Sequence, residues 1–119
     1  TGAAKVSSTK TIHAQTVKYI SAELQKCSLG ESAIMNGTRS CSGITSANTI
    51  DAAVAIMTDK NPYSSANKAV TDGGSNTSDS DVGYIRLTSP SSSQIAIKSC
   101  HKTGCSTSAN QNSSTVDIE

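Results

Sequence analysis

The chain has 119 residues and a formal net charge of +1, with 34% hydrophobic and 3% aromatic residues. A near-neutral balance sets aside both a strongly basic nucleic-acid binder and an acidic tail protein. No run of about 18 apolar residues exists to form a membrane-spanning helix. Leu, Ile and Val total only 19 positions, which brings the composition towards that of disordered chains. The absence of self-repulsion and the presence of four cysteines argue for a fold, because cross-links supply what a thin core lacks. The start at Thr1-Gly2, without Met, reads as a processed or truncated form.

Residues 3–27 contain neither Gly nor Pro. His13, Val17, Ile20, Leu24 and Cys27 recur at helical spacing, which predicts one long helix with an apolar face. Lys26 suits its last turn and Gly30 its stop. Ile12 falls off the main apolar face, and Val6 is the other large apolar residue before His13. The N-terminal half therefore reads as an arm that its own domain leaves uncovered. Residues 1–30 carry four Lys against one Glu, a formal +3. Lys5, Lys10 and Lys18 mark a basic surface for assembly.

Residues 30–47 read as loop, punctuated by Gly30, Gly37 and Gly43. A second, short helix is predicted from Thr49 to Asp59, with Asn48 as N-cap and Asp51 completing a capping box. Asn61-Pro62 ends it. Residues 71–81 are a polar, acidic turn. Alternation then predicts three strands, around Ile85 and Leu87, Ile95 and Ile97, and Val116 and Ile118. The order helix, helix, strand, strand, strand gives an α+β fold, with the long helix laid across an antiparallel sheet of three to four strands. A fourth strand would lie within 32–45 or 69–76.

Cys27, Cys41, Cys100 and Cys105 predict two disulfides, with three connectivities open. Local pairing, Cys27–Cys41 and Cys100–Cys105, is preferred because each link ties a turn-rich segment to a regular element. The rival is a metal site at Cys100, His101 and Cys105. It lacks a C-x-x-C, and adjacent ligands rarely point at one ion.

Chemistry has few candidates. His13 and His101 are the only histidines for a nucleophile-base pair. His13 lies on the apolar helix face, so a packed histidine is the simpler reading. His101 belongs to the cysteine loop. No nucleophile elbow, phosphate loop or dinucleotide fingerprint occurs. No enzymatic activity and no cofactor are expected. Asp72, Asn76, Asp79 and Asp81 offer clustered oxygens for calcium, but no Glu closes an EF-hand frame and plain turns share this composition. Three sequons, at Asn36, Asn76 and Asn112, indicate exposed loops at most. The basic helix face lacks the stacking aromatics of a DNA-binding surface.

The segments VKYISAELQKCSLGE (17–31), NPYSSANKAV (61–70), DVGYIRLTS (81–89), QIAIKSC (94–100) and the terminal STVDIE resemble the globular domain of a bacterial type IV pilin. That family packs the second half of a long N-terminal helix on a four-stranded antiparallel sheet. The resemblance implies one domain: the helix end at 1–28, a connecting region at 29–80, and sheet plus C-terminal disulfide loop at 81–119. Val17, Ile20 and Leu24 would pack on the sheet. The family's apolar half-helix is absent, as in a fragment cut for solubility. In the full-length protein that segment, methylated at its N-terminus, would hold the subunit in the inner membrane before assembly. The implied role is a structural subunit of an extracellular filament, serving adhesion, twitching motility, biofilm formation or DNA uptake. The truncated chain would be monomeric. The alternatives are a type II secretion pseudopilin and a small secreted disulfide-bonded binding module.

Overall fold

The computed structural model describes residues 2–119, and its secondary structure opens with one helix, α1 (Gly2–Ser28). At 1.5 Å per residue such a helix is about 40 Å long, close to the 43 Å long axis of the molecule. A small hairpin follows, β1 (Ala33–Ile34) and β2 (Arg39–Ser40), then helix α2 (Ser46–Ile56). A second hairpin pairs β3 (Lys60–Asn61) with β4 (Ser64–Lys68). The main sheet contains β5 (Val70–Asp72), β6 (Ile85–Ser91), β7 (Gln94–Cys100) and β8 (Gln111–Asp117), in that spatial order. Helix α1 lies mainly over β7 and β8, and α2 mainly over β5 and β6.

The core fills the space between the helices and one sheet face. Ile85, Leu87, Ile95, Ile97 and Val116 meet Ile12, Ile20 and Leu24 from α1 and Ile50 and Ala53 from α2. Val17 and Cys27 are half-buried against this cluster. The opposite sheet face carries Arg86, Thr88, Lys98, Ser113 and Thr115, each exposed or half-exposed. The alternation along the strands is the difference between these two faces.

Several expectations need correction. The sheet is mixed, because β5 runs parallel to β6. Parallel neighbours need a crossover of a dozen or so residues, and the segment 73–84 supplies it. The fourth strand lies in the second of the two predicted windows. Helix α2 starts three residues earlier than expected and ends at Ile56. Its cap is Thr45, whose hydroxyl accepts from the Asn48 N–H, while the Asn48 side chain accepts from the Thr45 N–H at 2.8 Å. Asn48 is thus the third residue of a capping box and not its first, and Asp51 lies outside it.

The stretch 30–47 is not simply loop. A type I′ turn closes the β1–β2 hairpin, with Asn36 at φ 59° and Gly37 at φ 77° and a Thr38 N–H to Met35 carbonyl bond of 3.2 Å. Asn-Gly is the usual pair for that turn because both positions need positive φ.

The two disulfides are Cys27–Cys41 and Cys100–Cys105. The first ties the end of α1 to the residue after β2. In the chain-entropy model it contributes about 3 kcal/mol, and the shorter second loop about 2 kcal/mol.

The uncovered arm is shorter than the hydropathy pattern implies. Thr9, Ile12, His13 and Thr16 are all buried, so only the first two turns stand clear of the core. The pattern conceals this stripe because most of its members are polar. Thr9 donates to the Lys5 carbonyl and Thr16 to the Ile12 carbonyl, both at 2.8 Å. A threonine that bonds to its own helix four residues back can be buried with its hydroxyl satisfied.

Candidate functional site

The buried polar groups concentrate where α1 crosses β7 and β8. His13 Nδ1 lies 2.7 Å from the Ser99 hydroxyl and Nε2 lies 2.9 Å from the Ser114 hydroxyl. Ser99 is fully buried, so a substrate cannot reach the His13–Ser99 pair. The imidazole instead pins the helix to two strands. His101 is also buried, and its Nδ1 has no hydrogen-bond partner. Its carbonyl accepts from the Tyr63 hydroxyl at 2.7 Å, and the Lys5 ammonium sits 5.6 Å from the centre of the Tyr63 ring.

Both imidazoles are held below their ordinary pKa. Burial does most of this for His13, with repulsion from His101 added. Burial again leads for His101, followed by Lys10; a hydrogen bond to the Ala109 backbone pulls the other way. A histidine with a depressed folded pKa stabilises the fold above its unfolded value, near 6.5. That contribution is lost as pH falls through the folded values. Denaturant midpoints should therefore drop between about pH 7 and pH 5, before the carboxylates titrate. His13→Gln, which keeps a polar amide at this position but does not titrate, should flatten that drop. A midpoint constant over this window, or an unchanged slope in the variant, would count against the clamp.

The predicted assembly lysines do not form one surface. At about 100° of turn per residue, Lys5, Lys10 and Lys18 point in three different directions. Lys5 faces Tyr63, and Lys10 is near enough to His101 to repel its proton.

The acidic loop is occupied by its own fold. Asp79 accepts the N–H groups of Cys105 and Gly104, at 2.9 and 2.8 Å, and these hold its carboxyl below the usual range. Burial pushes Asp81 up, but bonds from the Ser78 N–H, Arg86 and Ser75 outweigh it, and it too lies low. Asn76, a candidate calcium ligand and a sequon expected in an exposed loop, is buried and donates to the Ser99 carbonyl at 2.9 Å. The loop is a clamp on the C-terminal disulfide. Cys100 and Cys105 are bonded to each other, so the Cys100–His101–Cys105 reading gives way to the disulfide.

No family model matches the chain, and no curated protein or solved structure matches it.

Sequence patterning does not reveal three anchors. Glu23 is buried, accepts the Met35 N–H at 2.7 Å and pairs with Lys26 at 2.5 Å. It fixes the first hairpin to α1, where Met35 itself has a φ of 55°. Asn61 is fully buried, accepts from the Tyr63 N–H at 2.7 Å and donates to the Val82 carbonyl at 3.0 Å. Gly83 packs directly on Asn61. No periodicity could expose them, because each acts through specific contacts with residues distant from any repeating pattern.

Proposed function

We propose that the chain is the globular part of a filament subunit of the type IV pilin kind, with no catalytic role. The observation that carries this reading is the arrangement of α1. A 27-residue helix runs the length of the domain, its second half seated on the sheet and its first two turns clear of the core. A lone helix end frays in water, so an end held this way suits continuation into a longer helix shared with neighbouring subunits. The Cys27–Cys41 link and the Glu23–Met35 bond brace the other end of the helix. On this reading an apolar segment ahead of residue 1 anchors the subunit in the inner membrane and then packs in the filament core, where apolar burial drives association. Exposed lysine–carboxylate pairs between subunits would be worth at most about 1 kcal/mol each and would set register more than affinity.

The test uses the intact gene in its own cell. Deleting the gene should remove a surface filament, and peptides 17–31 and 94–100 should be recovered from sheared filaments of the unmodified cell. A surface without filaments in both strains, or filaments lacking these peptides, would overturn the reading. The isolated chain should sediment as a monomer at micromolar concentration.

A further inference from the structure

The free edge of β8 is an open pairing surface. The register of β7 on β8, with the Ile118 N–H to Ser93 and His101 N–H to Asn110 bonds, assigns residues 112, 114 and 116 to hydrogen-bonded pairs with β7. Residues 111, 113, 115 and 117 must then turn their backbone groups outward. The Gln111 N–H is taken by the Ser108 carbonyl. The carbonyl of Gln111 and both groups of Ser113, Thr115 and Asp117 remain for a partner.

Proteins usually blunt such an edge with Lys, Pro, a bulge or very short strands. Strand β8 has seven residues, no Lys, no Pro and an unbroken register. The opposite edge, β5, is guarded by its length of three residues. Beside the β8 edge runs a groove of about 320 Å³ between strand and helix, lined by Ser21, Leu24, Gln25, Ser28, Thr115 and Asp117 among others.

We propose that this edge pairs with β8 of a second copy of the chain, antiparallel about a two-fold axis near Ser114 and Thr115. Charge selects the direction. Asp117 is the single charge of β8. Antiparallel pairing places it beside Gln111 or Ser113 of the other copy, whereas parallel in-register pairing would set Asp117 against itself. Geometry supports the same occupant. Strands in a sheet are about 4.8 Å apart, and α1 lies over β7 and β8. A two-fold between the β8 strands then separates the two α1 axes by about 10 Å, the distance of packed helices. Each groove is filled by the other helix, through Ser21, Gln25 and Ser28. About six backbone hydrogen bonds form, with little apolar burial, so the contact is weak. The pairing is isologous and closes after two copies. In a filament it links neighbouring filaments side by side and does not extend one. It does not depend on the filament reading.

Sedimentation and amide exchange of the isolated chain should be followed from about 20 µM to about 1 mM, the range for a weak contact. The expected result is a rise in mean mass towards the dimer, with exchange at residues 113, 115 and 117 slowed several-fold. Residues 112, 114 and 116 should be unchanged. Thr115→Lys adds an edge charge without altering the β7 ladder and should abolish both effects. Thr115→Pro removes one outward N–H and should do the same. A mass that stays monomeric to about 1 mM, association that survives Thr115→Lys, or slowing at other sites would overturn the proposal. So would slowing at these amides by an added unrelated peptide when the chain shows no self-association.

Discussion

Truncating Ile20 to alanine is expected to cost about 2–5 kcal/mol, whereas Val6→Ala should cost less than about 1 kcal/mol. Ile20 has no exposed surface and sits centrally in the cluster joining α1 to the sheet. Its removal loses the transfer energy of the side chain and leaves a cavity that a helix fixed at both flanks cannot close. His13 holds one flank through Ser99 and Ser114, and the Cys27–Cys41 bond holds the other. Val6 is half-exposed and lies outside the core cluster. Leu24, at 7% exposure, should behave like Ile20. Chemical denaturation of the single variants under non-reducing conditions gives the comparison. Equal losses at Ile20 and Val6 would show that the first two turns are packed as firmly as the rest, which removes the basis for a helix that continues elsewhere.

These residues also show what the sequence can and cannot disclose. Val17, Ile20 and Leu24 stand out because apolar residues at helical spacing mark one buried face of a helix. Ile12 looks misplaced in the pattern because the stripe it belongs to runs through Thr9, His13 and Thr16, which hydropathy counts as polar. Each of the three is satisfied locally or by one serine pair, so its burial costs little. Strands β6 and β7 are legible from alternation, but β8 only in part: it begins at Gln111, in a Ser/Asn-rich stretch without alternation that reads as a linker, and it ends before Ile118. Strand β5 is not legible, since three residues carry no period and its partner is reached by a crossover. The Asn36-Gly37 turn is legible in principle, but its flanking strands are two residues each and show no alternation to draw attention to it. The acidic loop misleads in the opposite direction. Clustered oxygens suggest a cation, but Asp79 and Asp81 take backbone N–H groups and a guanidinium from their own chain. The composition of a loop does not say whether its carboxylates are already bonded within the chain.

Gly83→Ala should be among the most damaging single-atom additions, at about 3 kcal/mol or more. The residue has φ +84°, and a Cβ built there would lie 1.9 Å from Asn61 Oδ1 and 2.7 Å from its Cγ. A left-handed backbone costs an L side chain about 1–2 kcal/mol. The steric term adds to it, because Asn61 is fully buried and held by two hydrogen bonds, to Tyr63 and Val82. Moving Asn61 strands those groups, and each unsatisfied buried polar group costs about 1–3 kcal/mol. For a domain whose whole stability is about 5–15 kcal/mol, the loss is large. The damage should also spread in a defined direction. Tyr63 follows Asn61 by two residues and donates to the His101 carbonyl, next to the C-terminal disulfide. Amide exchange in the β3–β4 hairpin and at residues 100–105 should therefore quicken before that of β6 or the second half of α1. A double-mutant cycle with Asn61→Ala separates the causes. If the clash dominates, the double variant should cost clearly less than the sum of the singles, since removing the amide makes room for the methyl. If the singles simply add, the strain lies in the backbone at residue 83, and the packing of Asn61 on Gly83 is incidental to the fold.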